Sequence, residues 1–290
     1  MTLLELIKRS TDYLAAKGID SPRLQSELLL GHVLQKPRLN LYLEFDKSLE
    51  EKALNTYRDL IKRRAKREPL QHLVGSTSFC GYPIKVSPDV LIPRPETELL
   101  AEQAWHFLTR RSQEGFHNSH VLDFGVGSGC IAISLAKKFP EIRIDAIDIS
   151  PGAIAMARSN AEINGINDKI EFYTGDGFTA IPPSKRYDLI VSNPPYISSG
   201  EIANLQPEVR DHDPRIALDG GRDGLDFYRL LSTESPQFLS SDGTLMIEFG
   251  DEQIKGIENI FGRNPWNIES VVKDYSGKPR IAILKAKQTV

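Results

Sequence analysis

Apolar residues in the first 70 positions recur at helical spacing. Leu3, Leu4, Leu6, Ile7 and Leu14 form one stripe, and Gly18 follows as a stop signal. Ser21-Pro22 reads as an N-cap and first-turn pair opening a second helix, with Leu24, Leu28, Leu29 and Val33 on its apolar face. A third helix is predicted over residues 49–67, with Leu54, Tyr57, Leu60 and Ile61 on one face and Pro69 ending it. No period-two alternation interrupts these segments, so a small helical bundle is expected.

The pattern changes at Gly75. Residues 79–86 (Phe-Cys-Gly-Tyr-Pro-Ile-Lys-Val) read as two short strands joined by a turn. Pro93, Arg94 and Pro95 precede an acidic first helical turn, Glu96-Thr97-Glu98, and a helix running to about Arg110. Beyond His120, strands predicted at 121–124, 142–147, 170–173, 187–192 and 243–248 alternate with helices at 130–138, 151–164, 225–239 and 251–261. Apolar runs at 268–273 and 281–284 read as closing strands. This alternation predicts an α/β, Rossmann-like domain with a mostly parallel sheet covered on both faces. The expected organisation is a helical domain at 1–74, a β-hairpin linker at 75–95 and the α/β domain at 96–290.

Composition narrows the setting. The chain has 290 residues, 40% hydrophobic and 26% charged, which is ordinary for a globular protein large enough to fold without disulfides. Its two cysteines, Cys80 and Cys130, cannot form a disulfide framework. No apolar run approaches the roughly 18 residues of a membrane span, and charges interrupt the N-terminus too early for a signal peptide. A cytoplasmic monomer is expected. The net charge of -3 divides unevenly, with residues 1–75 at +4 and the remainder at -7. An acidic α/β domain disfavours a nucleic-acid substrate. The basic run at 62–67 reads either as a solvated helix end or as a contact for RNA or an acidic partner.

Candidate chemistry begins where the first strand of the α/β domain runs into Asp123-Phe124-Gly125-Val126-Gly127-Ser128-Gly129. Glycines at a strand-to-helix bend let backbone approach a ligand and aim a helix N-terminus at it. The spacing is G-x-G-x-G, not the G-x-G-x-x-G of dinucleotide binders. The next strand ends in Asp148, where a carboxylate can accept from both hydroxyls of a ribose. The pair predicts an adenosine ligand. S-adenosyl-L-methionine suits acidic surroundings better than NAD, because it carries a sulfonium cation and no pyrophosphate. Gly125, Val126, Gly127, Ser128, Gly129 and Asp148 are the expected cofactor contacts. Asp123 can hold the loop's amides or reach the ligand's amino group. Asp176 and Gly177 form a turn that either meets the adenine amine or is an ordinary Asp-Gly turn.

The fourth strand runs into Asn193-Pro194-Pro195-Tyr196. Two prolines stop pairing and fix the chain direction at the carboxyl end of a central strand, where α/β folds bind ligands. A planar NH2 group is a poor nucleophile because its lone pair is delocalised. The Asn193 side-chain oxygen and the Pro194 carbonyl can accept its two hydrogens and aim its nitrogen at a methyl donor. Tyr196 can offer a flat face to the same group. Asn193, Pro194 and Tyr196 are therefore the catalytic candidates.

Here the chain resembles class I S-adenosylmethionine-dependent methyltransferases, and more closely the bacterial peptide-chain-release-factor glutamine N5-methyltransferases. The resemblance rests on the glycine loop, Ser192 to Tyr196, Glu68-Pro69-Leu70-Gln71-His72 and Leu91-Ile92-Pro93-Arg94-Pro95-Glu96-Thr97-Glu98. It extends through the hairpin, Glu208-Val209-Arg210, Ala217-Leu218, Gly220-Gly221-Arg222-Asp223-Gly224-Leu225 and Tyr228-Arg229. It implies a seven-stranded sheet and methyl transfer to the Gly-Gly-Gln glutamine of class 1 peptide chain release factors. Residues 193–196 would hold that amide, Phe79 and 94–98 would close the pocket, and the helical domain would dock the release factor. Gly177 replaces an aromatic of some relatives, so adenine stacking is expected to pass to Phe178. The rivals are DNA adenine-N6 methylation, the same chemistry on a ribosomal-protein glutamine, and a non-catalytic binding module. DNA methylation would need a basic strand-binding surface. No metal site is expected, since His117 and His120 have no partner cysteines.

Overall fold

A computed structural model describes residues 1–263 and 265–286. The chain forms two compact units: 1–76 with 206–212, and 77–205 with 213–290. The hairpin therefore belongs almost wholly to the larger unit instead of forming a separate linker, and a short stretch far along the chain completes the helical unit.

The helical unit contains α1 (Leu3–Ala16), α2 (Pro22–Leu34), α3 (Arg38–Leu41), α4 (Glu51–Ala65) and α5 (Leu70–Val74), joined by α9 (Pro207–Arg210) from the returning segment. Its core gathers Leu3, Leu6, Ile7, Leu14, Leu29, Leu30, Tyr57, Leu60 and Ile61. The cap that begins α1 is Thr2, whose side chain accepts from the Glu5 amide while Glu5 reaches back to the Thr2 amide. Ser21 departs from expectation: it sits in the left-handed region at φ 47° and its side chain caps nothing. Pro69 ends α4 as predicted but then opens α5, because proline is well tolerated just before a first turn.

The basic run is partly solvated and partly paired: Lys62, Arg63 and Lys66 are exposed at the helix end, while Arg64 is buried. Arg63 pairs with Glu68, and Arg64, only 5% exposed, donates to Glu208 at 2.8 Å. Arg67 reaches the same Glu208 oxygen at 3.2 Å. Glu208 is held below the usual carboxylate range by these two arginines, against the opposing effect of burial.

The larger unit opens with the hairpin of β1 (Ser76–Phe79) and β2 (Tyr82–Lys85). Its two-residue turn puts Cys80 and Gly81 at φ 50° and 81°, the double left-handed geometry that tight hairpins require. The Cys80 amide donates to Glu98 at 2.6 Å, tying the turn to α6 (Pro95–Gln113). The main sheet has the order β5-β4-β3-β6-β7-β9-β8. These strands are β3 (His120–Phe124), β4 (Arg143–Asp148), β5 (Ile170–Thr174), β6 (Tyr187–Ser192), β7 (Leu239–Glu248), β8 (Trp266–Lys273) and β9 (Pro279–Ala286). The first five are parallel, and β9 runs antiparallel between β7 and β8.

Alternate strand positions feed opposite faces. Val121, Ile144, Ala146, Leu189, Val191 and Met246 pack under α6, α7 (Cys130–Lys138) and α8 (Pro151–Ile163). Leu122, Ile147, Ile190, Leu245 and Ile247 meet α10 (Asp226–Glu234) and α11 (Ile254–Phe261). The helix expected over 225–239 stops at Glu234, and β7 begins at Leu239, four residues before its predicted start. Pro236 breaks the helix, and Leu239 pairs with Tyr187 before the ladder slips and resumes at Leu189 and Thr244.

Gly129 caps α7 at φ 83°, and a Cβ there would lie 3.1 Å from the Ala157 Cβ of α8. Backbone strain and the loss of close α7–α8 packing act together. Gly129→Ala is expected to destabilise the larger unit by about 2 kcal/mol, read as a lowered midpoint in urea unfolding; an unchanged midpoint would contradict this account.

Candidate functional site

The strand order reverses between β3 and β6, so their carboxyl ends flank a crevice. The ladder pairs Asp123 with Val191, which brings the glycine loop level with Asn193. Ser192 Oγ donates to the Phe124 carbonyl at 2.8 Å and locks this register. The loop is held from the other side as well, since the Gly125 and Val126 amides both donate to the Ile147 carbonyl at 2.9 Å.

Asp148 ends β4 with both oxygens engaged. Oδ2 accepts from the Gly127 amide and Oδ1 from the Ser150 amide, each at 2.9 Å. Burial pushes its pKa up, and these amides pull it back. Each oxygen keeps a second lone pair for a hydroxyl.

Asp148 and Asp176 line a cavity together with Phe124, Gly125, Val126, Gly127, Ser128 and Gly177. Asn193 and Pro195 form part of its wall, as do Arg94 and Thr97 from the start of α6. Charged lining among the described residues is Asp89, Asp148 and Asp176 against Arg94, which is itself paired with Asp213 at 2.5 Å. A Cβ on Gly125 or Gly127 would meet no protein atom within 4 Å. An acidic wall with open space over the glycines fits a cationic adenosine such as S-adenosyl-L-methionine, and offers nothing to a pyrophosphate.

The Asn193-Pro-Pro-Tyr turn is clamped from outside. The Gly220 amide donates to the Ile197 carbonyl at 2.8 Å, and Gln253 Nε2 donates to the carbonyls of Tyr196 and Gly224 at 2.8 and 3.0 Å. A Cβ on Gly224 would come within 2.3 Å of the Tyr196 carbonyl, so the glycine-rich stretch after Asp219 is needed for close backbone packing. Asn193 Nδ2 donates to Thr97 Oγ1 at 2.9 Å, which holds one of its two N–H hydrogens. Pro194 is buried and Tyr196 half-buried, and neither is in the cavity wall. Tyr196 packs against the cluster containing Tyr228, and burial and the nearby Glu248 push its hydroxyl up to about 12.

Three expectations need correction. Phe79 is 1% exposed in the core of the larger unit and presents no face to a substrate. Phe178 stacks on Phe238 at 4.8 Å inside the core and is not available to adenine; Ile149, Ile216, Phe227 and Leu230 supply the apolar wall. Asp123 is buried beneath the loop instead of facing the cavity, with Oδ2 accepting from the Ala132 amide at 2.9 Å and Oδ1 unpartnered. The available signal for the missed wall was the apolar Ile149 directly after Asp148, which leaves Ile149 50% exposed beside the cavity.

Burial raises Asp123 to about 7, and Asp148 adds to the shift. The folded state therefore holds a proton that the unfolded chain has released, and stability falls as pH rises from about 4 to 7. Asp123→Asn is expected to make that decline shallower, by about 1.4 kcal/mol per pH unit within the window. Urea titrations at pH 5, 6, 7 and 8 measure it, and identical slopes in the two proteins would refute it.

Two family models match the chain: the PrmC N-terminal domain over residues 5–75 and the methyltransferase small domain over residues 101–208. The chain is 44% identical to the release factor glutamine methyltransferase of Geobacter sulfurreducens, over 97% of this chain and 95% of that protein. It is 38% identical to that of Chlorobaculum tepidum, over 95% and 94%. Among solved structures, the hMettl16 catalytic domain in complex with MAT2A 3'UTR hairpin 1 is 17% identical with a TM-score of 0.54, covering 97% of this chain and 92% of that one. A methyltransferase from Pyrococcus furiosus is 19% identical with a TM-score of 0.51, covering 72% and 91%. Those two likenesses concern the fold. Identity sustained across both units of the chain and nearly the full length of its relatives goes further: the chain belongs to the release factor glutamine methyltransferase family.

Proposed function

We propose that this protein transfers a methyl group from S-adenosyl-L-methionine to the side-chain amide nitrogen (N5) of the Gly-Gly-Gln glutamine in class 1 peptide chain release factors. The observation that carries this reading is Asn193, which lines the cavity and whose side-chain nitrogen donates to Thr97. An acceptor there suits a substrate NH2 group. Pro194, expected as the second acceptor, is buried and outside the cavity wall, so the reading rests on Asn193 to hold and aim the substrate nitrogen.

The cofactor supplies an electrophilic methyl on a sulfonium. Asp148 holds the ribose hydroxyls, the open backbone of Gly125 and Gly127 lies against the ligand, and Asp176 offers an acceptor to the adenine amine. As the N–CH3 bond forms and the S–CH3 bond breaks, positive charge grows on the amide nitrogen. Asn193 Oδ1 stabilises that charge more strongly in the transition state than in the ground state. The amide proton then leaves to water.

The helical unit is assigned to docking the release factor. It exposes Leu39 and Leu43 at 76% and 83%. DNA adenine methylation is the weaker reading, because residues 76–290 carry a net charge of -7 and two arginines of the basic run, Arg64 and Arg67, are paired with Glu208. No described helix is long and apolar enough to cross a membrane.

Mass spectrometry of a purified class 1 release factor incubated with the protein and S-adenosyl-L-methionine should find one methyl on the glutamine of its Gly-Gly-Gln peptide. Methyl on another protein or on DNA, with none there, would overturn the substrate. Asn193→Ala should lower turnover about 100-fold or more while the protein remains folded by circular dichroism. Asp148→Ala should weaken S-adenosyl-L-methionine binding about tenfold by calorimetry, equivalent to about 1.4 kcal/mol; unchanged affinity would move the ribose contact elsewhere.

A further inference from the structure

The outer edge of the hairpin is closed by side chains instead of a third strand. β2 pairs with β1 along one edge. On the other, the Lys85 amide donates to Asn160 Oδ1 at 2.8 Å, and the Lys85 carbonyl accepts from Asn160 Nδ2 at 2.9 Å. One helical turn further on, Asn164 Nδ2 donates to the Pro83 carbonyl at 2.9 Å. Two asparagines, one in α8 and one at its C-terminal end, thus satisfy the free backbone groups of an edge strand.

Asn160 holds a second segment as well. Its Nδ2 also donates to the Ser128 carbonyl of the glycine loop at 2.9 Å. A backbone N–H can only donate, so Oδ1 must face Lys85, and both hydrogens on Nδ2 are committed to carbonyls. The side chain is fully buried, so each of these bonds is costly to lose.

Both segments lead to the cavity. Ser128 lines it directly, and the chain beyond Lys85 supplies Asp89, Val90, Leu91, Pro93 and Arg94 to its wall. That wall meets α8 a second time, since a Cβ on Gly152 would lie 3.1 Å from the Asp89 Cβ. α8 is therefore the rail on which the glycine loop and the 89–94 wall are spaced. We propose that Asn160 is a positioning residue for S-adenosyl-L-methionine, fixing that spacing by tying Ser128 and Lys85 to one point on α8. Asn160 does not itself line the cavity. The proposal rests on this cavity being the cofactor site.

The test is calorimetry of S-adenosyl-L-methionine binding to the full-length protein. Asn160→Ala cuts the loop and the hairpin free of each other, whereas Asn164→Ala loosens the hairpin from the same helix and leaves Ser128 held. Both variants should melt below the wild type. Asn160→Ala should raise the Kd about tenfold, while Asn164→Ala should keep it within about twofold of the wild type. A merely structural role would change affinity equally in the two variants, and that result would overturn the proposal. Linkage supplies a readout in the unmutated protein. A clamp that strengthens cofactor binding about tenfold is itself strengthened about tenfold by bound cofactor. Solvent exchange of the Lys85 amide hydrogen, which Asn160 holds, should therefore slow about tenfold at saturating S-adenosyl-L-methionine. An unchanged rate would overturn the proposal, whether or not Asn160→Ala folds. Asp148→Ala separates the clamp from the reading of the cavity. Weakened binding in Asp148→Ala with wild-type affinity in Asn160→Ala overturns the clamp alone; wild-type affinity in both overturns the clamp and the cofactor site together.

Discussion

The parallel ladder between β3 and β6 is the constraint on which the site depends. It joins two strands far apart in the chain at the point where the sheet's winding reverses, so no crossover helix covers their carboxyl ends. Its register sets Gly125 beside Asn193, and the Ser192–Phe124 hydrogen bond keeps it there. A slip of one residue would turn Asp123 and Val191 to the opposite face and separate the cofactor loop from the amide-binding turn. The close packing at Gly129 and the hold of Gln253 on the Tyr196 carbonyl serve the same register from either side.

Around this ladder the molecule accumulates buried acid. Asp123, Asp148 and Glu248 stand at or beside the carboxyl ends of β3, β4 and β7, three parallel strands of the one sheet, and burial raises all three above the ordinary carboxylate range. Two of them are held by backbone amides: Asp123 accepts from the first turn of α7 and Asp148 from the glycine loop. Stability at neutral pH is thus sacrificed for fixed orientation, as is common where a site needs preorganised dipoles. The same acidity excludes a polyphosphate ligand and accommodates a sulfonium.

The parts of the site legible in the sequence were those made of contiguous residues. Three glycines between a strand and a helix, an aspartate ending the next strand, and Asn-Pro-Pro-Tyr ending a later one carry their geometry in local covalent structure. The elements that escaped depend on packing partners. Phe79 and Phe178 are aromatic residues beside the right motifs, yet the interior claims both because their apolar area is worth more buried in the core than exposed to a ligand. Ser21 has the composition of a cap, but its left-handed backbone aims the hydroxyl away from the helix. The basic run at 62–67 has the look of a binding surface, while two of its arginines, Arg64 and Arg67, pair with Glu208 more than 140 residues later.

What the sequence determined by itself was the kind of fold, the kind of ligand and the group that chemistry acts upon, because strand–helix periodicity, glycine conformational freedom and the acceptor set of an asparagine are properties of short segments. Tertiary structure alone decided that the Asn193 side-chain NH2 donates to Thr97 of α6, a pairing that no spacing along the chain announces. It also decided that residues 206–212 belong with the helical unit. The reason is the same in both cases. A hydrogen bond's direction and an ion pair's partner are set by which groups are excluded from water together, and that follows from the packing of distant segments instead of their order.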